Sequence, residues 1–362
     1  MKNRILFVYN SVPIEERTGI YGECASVKTV NQLHQALLAG GNEVFLLNAR
    51  SPVQVIEEIS KLENIDLAFV IAEGFLDEPD TLYDGSGSQK IRAVIQSQGI
   101  PTSHTGIHGM EVCRNKDHTY ETLRRRGIKV PGFFTIQMGD DIESAYAASS
   151  IEFPLFIKPA GGGNSVGISI NSIVDDMDQL RTQAISLFEE LGDVTLIAET
   201  YLSGQEFTIG IMGGIVKTVL PIIAFPMHYR VRSHASKGKE YKDREHFQIL
   251  TSEDSRYWQL YDIATASFDA VEGRDIIRLE VREDANKELY VIDVNGTPSL
   301  SESASLTYMA EYLDISFKEL INVIISGSLK DHGIKPSILT EEFIDQAKIK
   351  LRAYGRIVNE AV

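Results

Sequence analysis

The sequence predicts an α/β protein that begins with an open parallel sheet carrying helices on both faces. Residues 4–9, 43–47 and 66–71 are continuous apolar runs, which are typical of buried parallel strands. Residues 26–38 and 53–62, which lie between these runs, are predicted to be helices. Because strands and helices alternate along the chain, the strands are expected to lie parallel in one sheet.

The carboxyl ends of these strands are where such a sheet binds its ligands, here near residues 10–23 and 73–74. The first strand is not followed by G-x-G-x-x-G, which disfavours the usual dinucleotide-binding fold. Residues 91–98 are predicted to be a helix, and residues 99–101 to lead into another short strand.

The middle of the chain is predicted to contain helices over residues 110–126 and 175–191 and strands over residues 153–159, 168–170 and 194–200. A glycine-dense loop, residues 160–167, joins two of these strands. Such a loop is either a flexible hairpin turn or a cover for phosphates, to which it would donate backbone N–H groups. Lys158 at the end of the preceding strand favours phosphate.

The last third of the chain is predicted to contain strands over residues 207–212 and 216–225, helices over residues 258–271, 305–310, 316–326 and 340–359, and a central hairpin. Residues 226–251 concentrate basic side chains in an otherwise acidic protein. This segment is either a solvated loop or a mobile lid that closes over an anionic ligand.

The hairpin over residues 277–295 carries the polar groups on which the functional interpretation depends. A turn about Asn286 and Lys287 would place Glu280 opposite Asp293 on one face of the sheet. The same register would place Arg278 opposite Asn295. Facing carboxylates repel each other unless a cation lies between them, and oxygen ligands are those that Mg²⁺ prefers. An adjacent arginine suits a phosphoryl group that also contacts the metal.

Composition restricts the class of protein. At 362 residues the chain suits two or three domains. Its net charge of -16 argues against a general affinity for nucleic acid or for anionic membranes. The two cysteines, Cys24 and Cys113, are far apart, which fits a reducing cytoplasm better than a disulfide framework. No apolar run approaches the length of a membrane span, so no membrane partner is expected.

Four motifs, taken in order, resemble the ATP-grasp superfamily and, within it, the D-alanine–D-alanine ligase-like family. They are Asn115-Lys116, residues 153–167 with Lys158, residues 199–206, and Arg278-x-Glu280 with Asp293-x-Asn295. The resemblance covers about residues 1–325. It implies an ATP-grasp architecture, in which an N-terminal open parallel α/β domain is followed by two α+β domains that clasp ATP. The expected domains are residues 1–112, 113–202 and 203–362.

The resemblance also implies roles for individual residues. ATP would be bound by Lys116, Lys158, Gly163, Ser165, Glu199, Thr200, Leu202 and Glu206. Two Mg²⁺ ions, with Mn²⁺ as an alternative, would be held by Glu280, Asp293 and Asn295. Arg278 and the backbone N–H of Ser299 would stabilise charge during the reaction, and the substrates would contact Glu23, Ser305 and Leu306.

The departures from the family pattern concern mainly the amino-acid half of the site. The family usually has Asp where this chain has Glu280, and Glu where it has Asp293. The exchange keeps two carboxylates. The N-terminal acidic signature is reduced to Glu23 and Ser26, and Ser299 stands where the family has glycine. The resemblance therefore implies that the nucleotide chemistry is retained and leaves the two amino-acid substrates open.

The function implied is ATP-dependent ligation of a carboxylate and an amine through an acyl phosphate. The substrates would be small molecules, amino acids or compounds like them, and the family allows a homodimer. Two alternatives stay open: a ligase of other substrates, such as one that makes an L-dipeptide or a secondary-metabolite amide, and a protein that binds ATP without catalysis.

Overall fold

The computed structural model describes residues 2–163, 166–213, 217–227 and 247–360, and at residue 23 and over residues 355–360 it describes the backbone alone. The strands of these described residues fall into three sheets. Among the described residues, no helix combines the length and the apolar character that a membrane crossing needs.

The N-terminal part is the predicted open parallel sheet. Its elements are β1 (Arg4–Tyr9), α1 (Val27–Ala39), β2 (Glu43–Asn48), α2 (Pro52–Ser60), β3 (Leu67–Val70) and α3 (Gly87–Ser97), with 3-10 turns at Gly19–Glu23 and Pro79–Leu82. The strand order is β2-β1-β3, and both pairs are parallel. Ser26 and Ser51 cap α1 and α2 by accepting backbone N–H groups of the first turn. The short strand expected after residue 101 is only an isolated bridge between Ala68 and Thr102.

The middle part is an antiparallel sheet of order β4-β7-β5-β6. Its elements are α4 (Ile107–Arg114), α5 (Lys116–Arg125), β4 (Phe133–Ile136), α6 (Ile142–Ser149), β5 (Leu155–Pro159), a 3-10 turn at Ile170–Ser172, β6 (Ile173–Val174), α7 (Met177–Leu191) and β7 (Leu196–Thr200).

Two predictions for the middle part are wrong. The single helix over residues 110–126 is two helices, because Asn115 has an extended backbone between them. The backbone N–H of Lys116 is thereby free of helix α4 and donates to the carbonyl of Ala160 at 2.9 Å. The strand predicted over residues 168–170 is instead a turn, and the strand that pairs with β5 begins at Ile173.

The C-terminal part is built on a sheet of order β11-β10-β8-β12-β13, with β9 also on β8. Its elements are β8 (Glu206–Met212), β9 (Thr218–Val219), β10 (Ile223–Ala224), β11 (Gln248–Ile249), α8 (Tyr257–Ala270), β12 (Ile276–Glu283), β13 (Leu289–Asn295), α9 (Ser305–Tyr312), α10 (Phe317–Asp331) and α11 (Ile338–Glu360). The single strand predicted over residues 216–225 is wrong. Pro221, which has no N–H to donate, separates β9 from β10.

The predicted register of the central hairpin is confirmed. In the antiparallel pair β12–β13, Glu280 lies opposite Asp293 and Arg278 lies opposite Asn295. Beyond Glu280 the register shifts by one, so that Val281 pairs with Val291 and Ile292 is the extra residue of a β-bulge. Lys287 in the turn has a φ of +70°.

The core joins the N-terminal and C-terminal parts. Phe7 and Phe69 of the parallel sheet belong to the same hydrophobic cluster as Leu320 and Ile324 of α10. A second cluster joins β8, β12 and β13 to α5 and α8. Helix α11 is amphipathic, as expected for a surface helix, since Ile344 is buried and Ile349 is exposed. The apolar face of the hairpin is therefore packed against α5 and α8.

Candidate active site

An open cleft lies between the middle and C-terminal sheets, and its volume, open solvent included, is about 910 Å³. Ten of the residues predicted from the sequence line it, namely Lys116, Lys158, Gly163, Glu199, Leu202, Glu206, Arg278, Glu280, Asp293 and Asn295. We refer to this space as the central cleft.

The hairpin supplies the floor of the central cleft. Arg278 and Glu280 both lie on the cleft face of β12, and Arg278 Nη1 is 2.5 Å from Glu280 Oε1. Asp293 lies opposite Glu280 on β13. The amide oxygen of Asn295 accepts the backbone N–H of Thr297 at 2.9 Å, which fixes the orientation of its side chain. The alternation of both strands thus places three oxygen-bearing side chains and a guanidinium side by side.

The chemistry of this donor set fits magnesium. Mg²⁺ is commonly held by one or two carboxylates together with phosphate oxygens of the substrate rather than by an all-protein cage. Glu280 and Asp293 provide two carboxylates, and Asn295 provides an amide oxygen. In the part of the chain that the structure describes, no group of three or more His, Cys, Asp or Glu side chains is placed to hold a metal without such help.

Lys116 reaches the cleft because the chain breaks between α4 and α5. As the first residue of α5 it extends its side chain to the glycine loop, where Nζ donates to the carbonyl of Gly162 at 3.3 Å. Its Nζ is also 3.8 Å from Asp293 Oδ1. Lys116 therefore links the glycine loop to the carboxylate side of the hairpin.

A buried ion pair connects Lys158 with Glu199 across β5 and β7. Lys158 Nζ donates to Glu199 Oε1 at 2.8 Å, and both side chains are almost fully buried. The hydroxyl of Tyr120 donates to the other oxygen of Glu199 at 2.7 Å. Burial, followed by the nearby carboxylate of Glu199, raises the pKa of Tyr120 well above its usual value, so the phenol stays protonated.

Tyr120 was missed in the sequence. The available signal is its position one helical turn after Lys116, which places both residues on the same face of α5. Arg282, which lines the cleft two residues after Glu280 on the same face of β12, was also missed.

The segment after β7 forms one end of the cleft. Leu202 and Glu206 line it together with Tyr201 and Arg282. Thr200 is not among the lining residues of the described chain, and its backbone N–H donates to the carbonyl of Gly132 at 2.9 Å. A contact from Thr200 to a ligand would therefore use its carbonyl group or its side chain.

The glycine loop closes the cleft on the side of the N-terminal part. A Cβ on Gly161 would lie 2.7 Å from the backbone carbon of Asp84, and one on Gly162 would lie 2.9 Å from the carbonyl oxygen of Tyr83. Gly163 lines the cleft, and Ser165 lies outside the described residues. Most of the basic segment, residues 228–246, also lies outside them.

The predicted substrate residues lie away from the lining of the central cleft. Ser299 is exposed in the loop after β13, and Ser305 is the first residue of α9. The side chain of Leu306 is fully buried, so only its backbone could meet a substrate. Glu23 ends the 3-10 turn at Gly19–Glu23, and its side chain lies outside the description.

A buried polar network occupies the strand ends of the N-terminal sheet. Glu73 accepts the hydroxyl of Ser88 at 2.6 Å, and Arg114 Nη1 lies 3.4 Å from the same carboxylate. Arg92 is fully buried, and it donates to the hydroxyl of Thr297 at 2.7 Å. Burial lowers the pKa of Arg92 to about 10, which leaves the guanidinium charged at neutral pH. The network ends two residues from Asn295, so it joins the N-terminal part to the hairpin.

Comparison with known proteins identifies the family of this chain. Residues 122–326 match the family described as D-ala D-ala ligase C-terminus. A D-alanine–D-alanine ligase of Clostridium botulinum (strain 657 / Type Ba4) is 26% identical over 272 residues, which are 75% of this chain and 84% of that protein. One from Syntrophotalea carbinolica is 25% identical over 304 residues, 84% of this chain and 91% of that protein.

A solved structure shares the fold. The crystal structure of the D-alanine–D-alanine ligase from Bacillus anthracis complexed with ATP superposes with a TM-score of 0.70 at 22% identity, and covers 91% of this chain and 99% of that chain. The three-sheet architecture with its central cleft is thus the ATP-grasp fold. Since the family match spans more than half of the residues, the chain belongs to the D-alanine–D-alanine ligase family.

Proposed function

We propose that this protein is an ATP-dependent carbon–nitrogen ligase that joins the carboxylate of one amino acid to the amine of another through an acyl phosphate. The observation that carries the proposal is the hairpin, which presents Arg278, Glu280, Asp293 and Asn295 together in the cleft of an ATP-grasp fold. Amide formation from ionised partners in water is unfavourable, so it has to be coupled to ATP cleavage.

The reaction has two steps. An oxygen of the substrate carboxylate attacks the γ-phosphorus of ATP, which forms the acyl phosphate and releases ADP. The amine of the second substrate then attacks the acyl carbon, loses a proton, and displaces inorganic phosphate. Mg²⁺ bound at Glu280, Asp293 and Asn295 would supply charge neutralisation for the phosphates.

The residues of the chain position the reactants and stabilise charge. Lys116 and Lys158 place two ammonium groups in the cleft beside the glycine loop. Arg278 is placed to stabilise negative charge that develops on the transferring phosphoryl group or on the tetrahedral acyl carbon. The backbone N–H groups of the glycine loop would cover the phosphates and exclude water, which would otherwise hydrolyse the acyl phosphate.

The remaining parts of the proposal concern the substrates, the cellular location, the domain limits and the oligomeric state. D-Alanine is the first candidate for both substrates, because the relatives named above are D-alanine–D-alanine ligases. The two buried thiols, Cys24 and Cys113, support a reducing, cytoplasmic location. The domain limits of residues 1–112, 113–202 and 203–362 stay a prediction, and so does a homodimer.

A panel of amino acids tests this function. The protein would be incubated with Mg·ATP and pairs of D- and L-amino acids, with ADP release and amide product measured in parallel. We expect ADP and an amide in equal amounts for at least one pair. If ATP binds measurably but no pair of amino acids leads to ADP release, the protein is an ATP-binding protein without ligase activity.

An isotope experiment tests the intermediate. If the first substrate carries ¹⁸O in its carboxylate, the attacking oxygen becomes the bridging atom of the acyl phosphate. The released inorganic phosphate would then contain one ¹⁸O per amide formed. Unlabelled phosphate, with label retained entirely in the amide and in water, would exclude the acyl-phosphate route.

A further inference from the structure

The side chain of Asn295 is oriented by the backbone two residues further along the chain. Its amide oxygen accepts the N–H of Thr297 at 2.9 Å, and within the described residues no other hydrogen bond reaches this side chain. Asn295 is also the last residue of β13, so the strand pairing ends there. The position of Thr297, and with it the direction of the Asn295 amide, therefore depends on contacts from outside the sheet.

The side chain of Thr297 is anchored to the N-terminal part of the molecule. Thr297 is buried, and its hydroxyl accepts Arg92 Nη2 at 2.7 Å and donates to the sulfur of Met110 at 3.4 Å. A thioether sulfur is a weak acceptor, whereas a hydrogen bond from a charged donor is among the stronger ones. The loop after β13 is thus tied mainly to an arginine that lies 205 positions earlier in the sequence.

The other partners of Arg92 are neutral. Its Nη1 donates to the carbonyl of Ser88 in α3 at 2.9 Å, and Nη2 also lies 3.5 Å from the carbonyl of Val70 at the end of β3. Its buried Nε–H has no hydrogen-bond partner among the described residues. A fully buried charge that is hydrogen-bonded to neutral acceptors costs free energy that an apolar side chain would not. Arg92 is therefore better explained by the loop that it fixes than by a contribution to stability.

We propose that Arg92 is a positioning residue for the metal site: through Thr297 it fixes the loop whose N–H orients the amide oxygen of Asn295 as a magnesium ligand. The inference rests on the proposed function in that Asn295 binds the metal. Removal of a group that orients a metal ligand typically weakens metal binding by about 10–100-fold. Because Arg92 acts through Thr297 and does not touch Asn295, the lower end of that range is expected.

Calorimetry with the non-hydrolysable nucleotide AMP-PNP measures metal binding without turnover. The Kd in EDTA divided by the Kd in saturating Mg²⁺ gives the gain in affinity that the metal provides. We expect Arg92→Met to lower this metal gain about tenfold, with the Kd in EDTA within about twofold of wild type. The reference variant Asn295→Ala should lower the gain at least as much. The control Arg256→Met, which removes an arginine bound to Asp254 and Glu283 outside the central cleft, should keep the wild-type gain.

A double variant separates positioning from stability. Thr297→Val leaves the buried guanidinium of Arg92 without its acceptor, so it should lower both the free energy of unfolding and the metal gain. Arg92→Met/Thr297→Val replaces both partners with apolar groups, so stability should recover while the metal gain stays about tenfold low. Thr297→Ser keeps the hydroxyl and should keep the wild-type gain. Urea denaturation measures the stability of each variant.

The outcomes distinguish this inference from the proposed function. If Asn295→Ala lowers the metal gain and Arg92→Met does not, the positioning role is overturned and the metal site stands. A metal gain that recovers together with stability in the double variant also overturns the positioning role. If Asn295→Ala leaves the gain unchanged, the metal assignment fails and the inference fails with it. If Thr297→Val does not fold, Arg92→Met and the double variant decide. Because binding requires no ligation, a negative amino-acid panel would leave the result standing.

Discussion

Asp293 is the residue on which the metal assignment can be tested most directly. It combines a position opposite Glu280 with a distance of 3.8 Å to the ammonium group of Lys116. Asp293→Asn removes one of the two carboxylate charges with almost no change in shape. We expect turnover to fall by at least about a hundredfold, because several kcal/mol of charge stabilisation is lost. ADP release under saturating Mg·ATP measures the effect.

The same hairpin offers a matched control. Asp284 lies in the turn, and its side chain accepts the backbone N–H groups of Asn286 and Glu288, which an asparagine oxygen can also do. Asp284→Asn should leave turnover within about twofold of wild type, since the residue does not line the central cleft. Undiminished turnover in Asp293→Asn, with both variants folded by circular dichroism, would refute the metal assignment.

Tyr120 supports the Lys158–Glu199 pair, and its hydroxyl can be removed alone. Tyr120→Phe should destabilise the protein by about 1–3 kcal/mol, because a buried carboxylate oxygen loses its donor. It should also raise the KM for ATP, since Glu199 lines the central cleft. Tyr257 is a suitable comparison: it is buried, its hydroxyl lies 3.3 Å from that of Tyr354, and it does not line the cleft.

Comparing the two variants separates an effect on ATP binding from a general loss of stability. Tyr257→Phe should lower stability without changing the KM for ATP. Urea denaturation and steady-state kinetics on both variants measure the two quantities. If Tyr120→Phe behaves like Tyr257→Phe, the hydroxyl of Tyr120 is structural only.

At the residue scale, site residues could be predicted from the sequence where their spacing along the chain is enough to bring their side chains together. Glu280 and Asp293 could be paired because they flank one short turn, and only the register had to be assumed. Tyr120 meets Glu199 from a different element, separated in the chain by 79 residues, and no local pattern reports that contact. Arg282 fits the same alternation as Glu280 but resembles an ordinary surface charge until its burial is known.

At the scale of elements, the glycine loop is defined by how closely another backbone approaches it. Gly162 has a φ of +73°, and a Cβ there would lie 2.9 Å from the carbonyl oxygen of Tyr83. Gly162→Ala should therefore strain the loop and push it away from the N-terminal part. We expect the KM for ATP to rise about tenfold or more, because the loop lines the central cleft.

Gly127 allows backbone strain to be separated from the steric effect. Its φ is +75°, but a Cβ there would meet nothing within 4 Å. The strained backbone in Gly127→Ala should lower the free energy of unfolding by roughly 1 kcal/mol, about as much as the backbone strain in Gly162→Ala. The KM for ATP should not change in Gly127→Ala. Equal KM values for the two variants would show that the close approach to Tyr83 is unimportant for nucleotide binding.

One element that was predicted wrongly, the single helix over residues 110–126, is interrupted because of contacts from outside the segment. The helix over residues 110–126 contains no glycine or proline beyond Met110, so local propensity favours continuity. The break at Asn115 is stabilised by contacts from elsewhere, including the hydrogen bond from the Lys116 backbone to Ala160. Periodicity within the segment could not report a hydrogen bond to a residue 44 positions further along the chain.

At the scale of the whole molecule, Asp275 joins the N-terminal and C-terminal parts. Its carboxylate accepts the backbone N–H of His104 at 2.6 Å and the hydroxyl of Ser328 in α10. Burial raises the pKa of Asp275 to about 6, while the N–H of His104 and the hydroxyl of Ser328 oppose the shift. Of the charged neighbours, Asp331 raises the pKa and Arg274 lowers it. The imidazole of His104 stays neutral, since burial lowers its pKa to about 3.

The raised pKa makes stability depend on pH in a definite direction. The folded protein holds the proton of Asp275 up to about pH 6, whereas the unfolded chain releases it near pH 4. The free energy of unfolding therefore loses a contribution of up to roughly 3 kcal/mol as the pH rises from 4 to 6. Asp275→Asn should remove this slope, so that its stability relative to wild type increases with pH.

Urea denaturation at pH 4.5 and pH 7.5 measures this difference. The surface variant Asp345→Asn serves as the control, because its side chain is 76% exposed and should add no comparable slope. Parallel stability curves for the wild type and Asp275→Asn would contradict the assignment of the titration to Asp275.

The way in which the three sheets pack together could largely not be predicted from local sequence patterns. Alternation and apolar runs predicted the parallel sheet and the hairpin, because both depend on neighbours in the chain. The shared cluster of Phe7, Phe69 and Ile324 joins residues more than 250 positions apart in the sequence. Such contacts follow from the packing of complete surfaces, and here only the resemblance to a known architecture anticipated them.

The extra residue at Ile292 has a consequence for anyone who would lengthen, shorten or transplant the hairpin. From Arg278 to Glu280 the two strands are in one register, and from Val281 onwards they are in another, so the offset itself sets which side chains meet across the ladder. Insertions confined to the tip around Lys287 would be absorbed outside the paired region. Deletion of Ile292 itself would instead remove the offset and keep Asp293 opposite Glu280. Deletion of Val294 would place Asn295 directly after Asp293 and turn its amide to the opposite face, so the engineered chain would keep its hairpin while losing its chemistry.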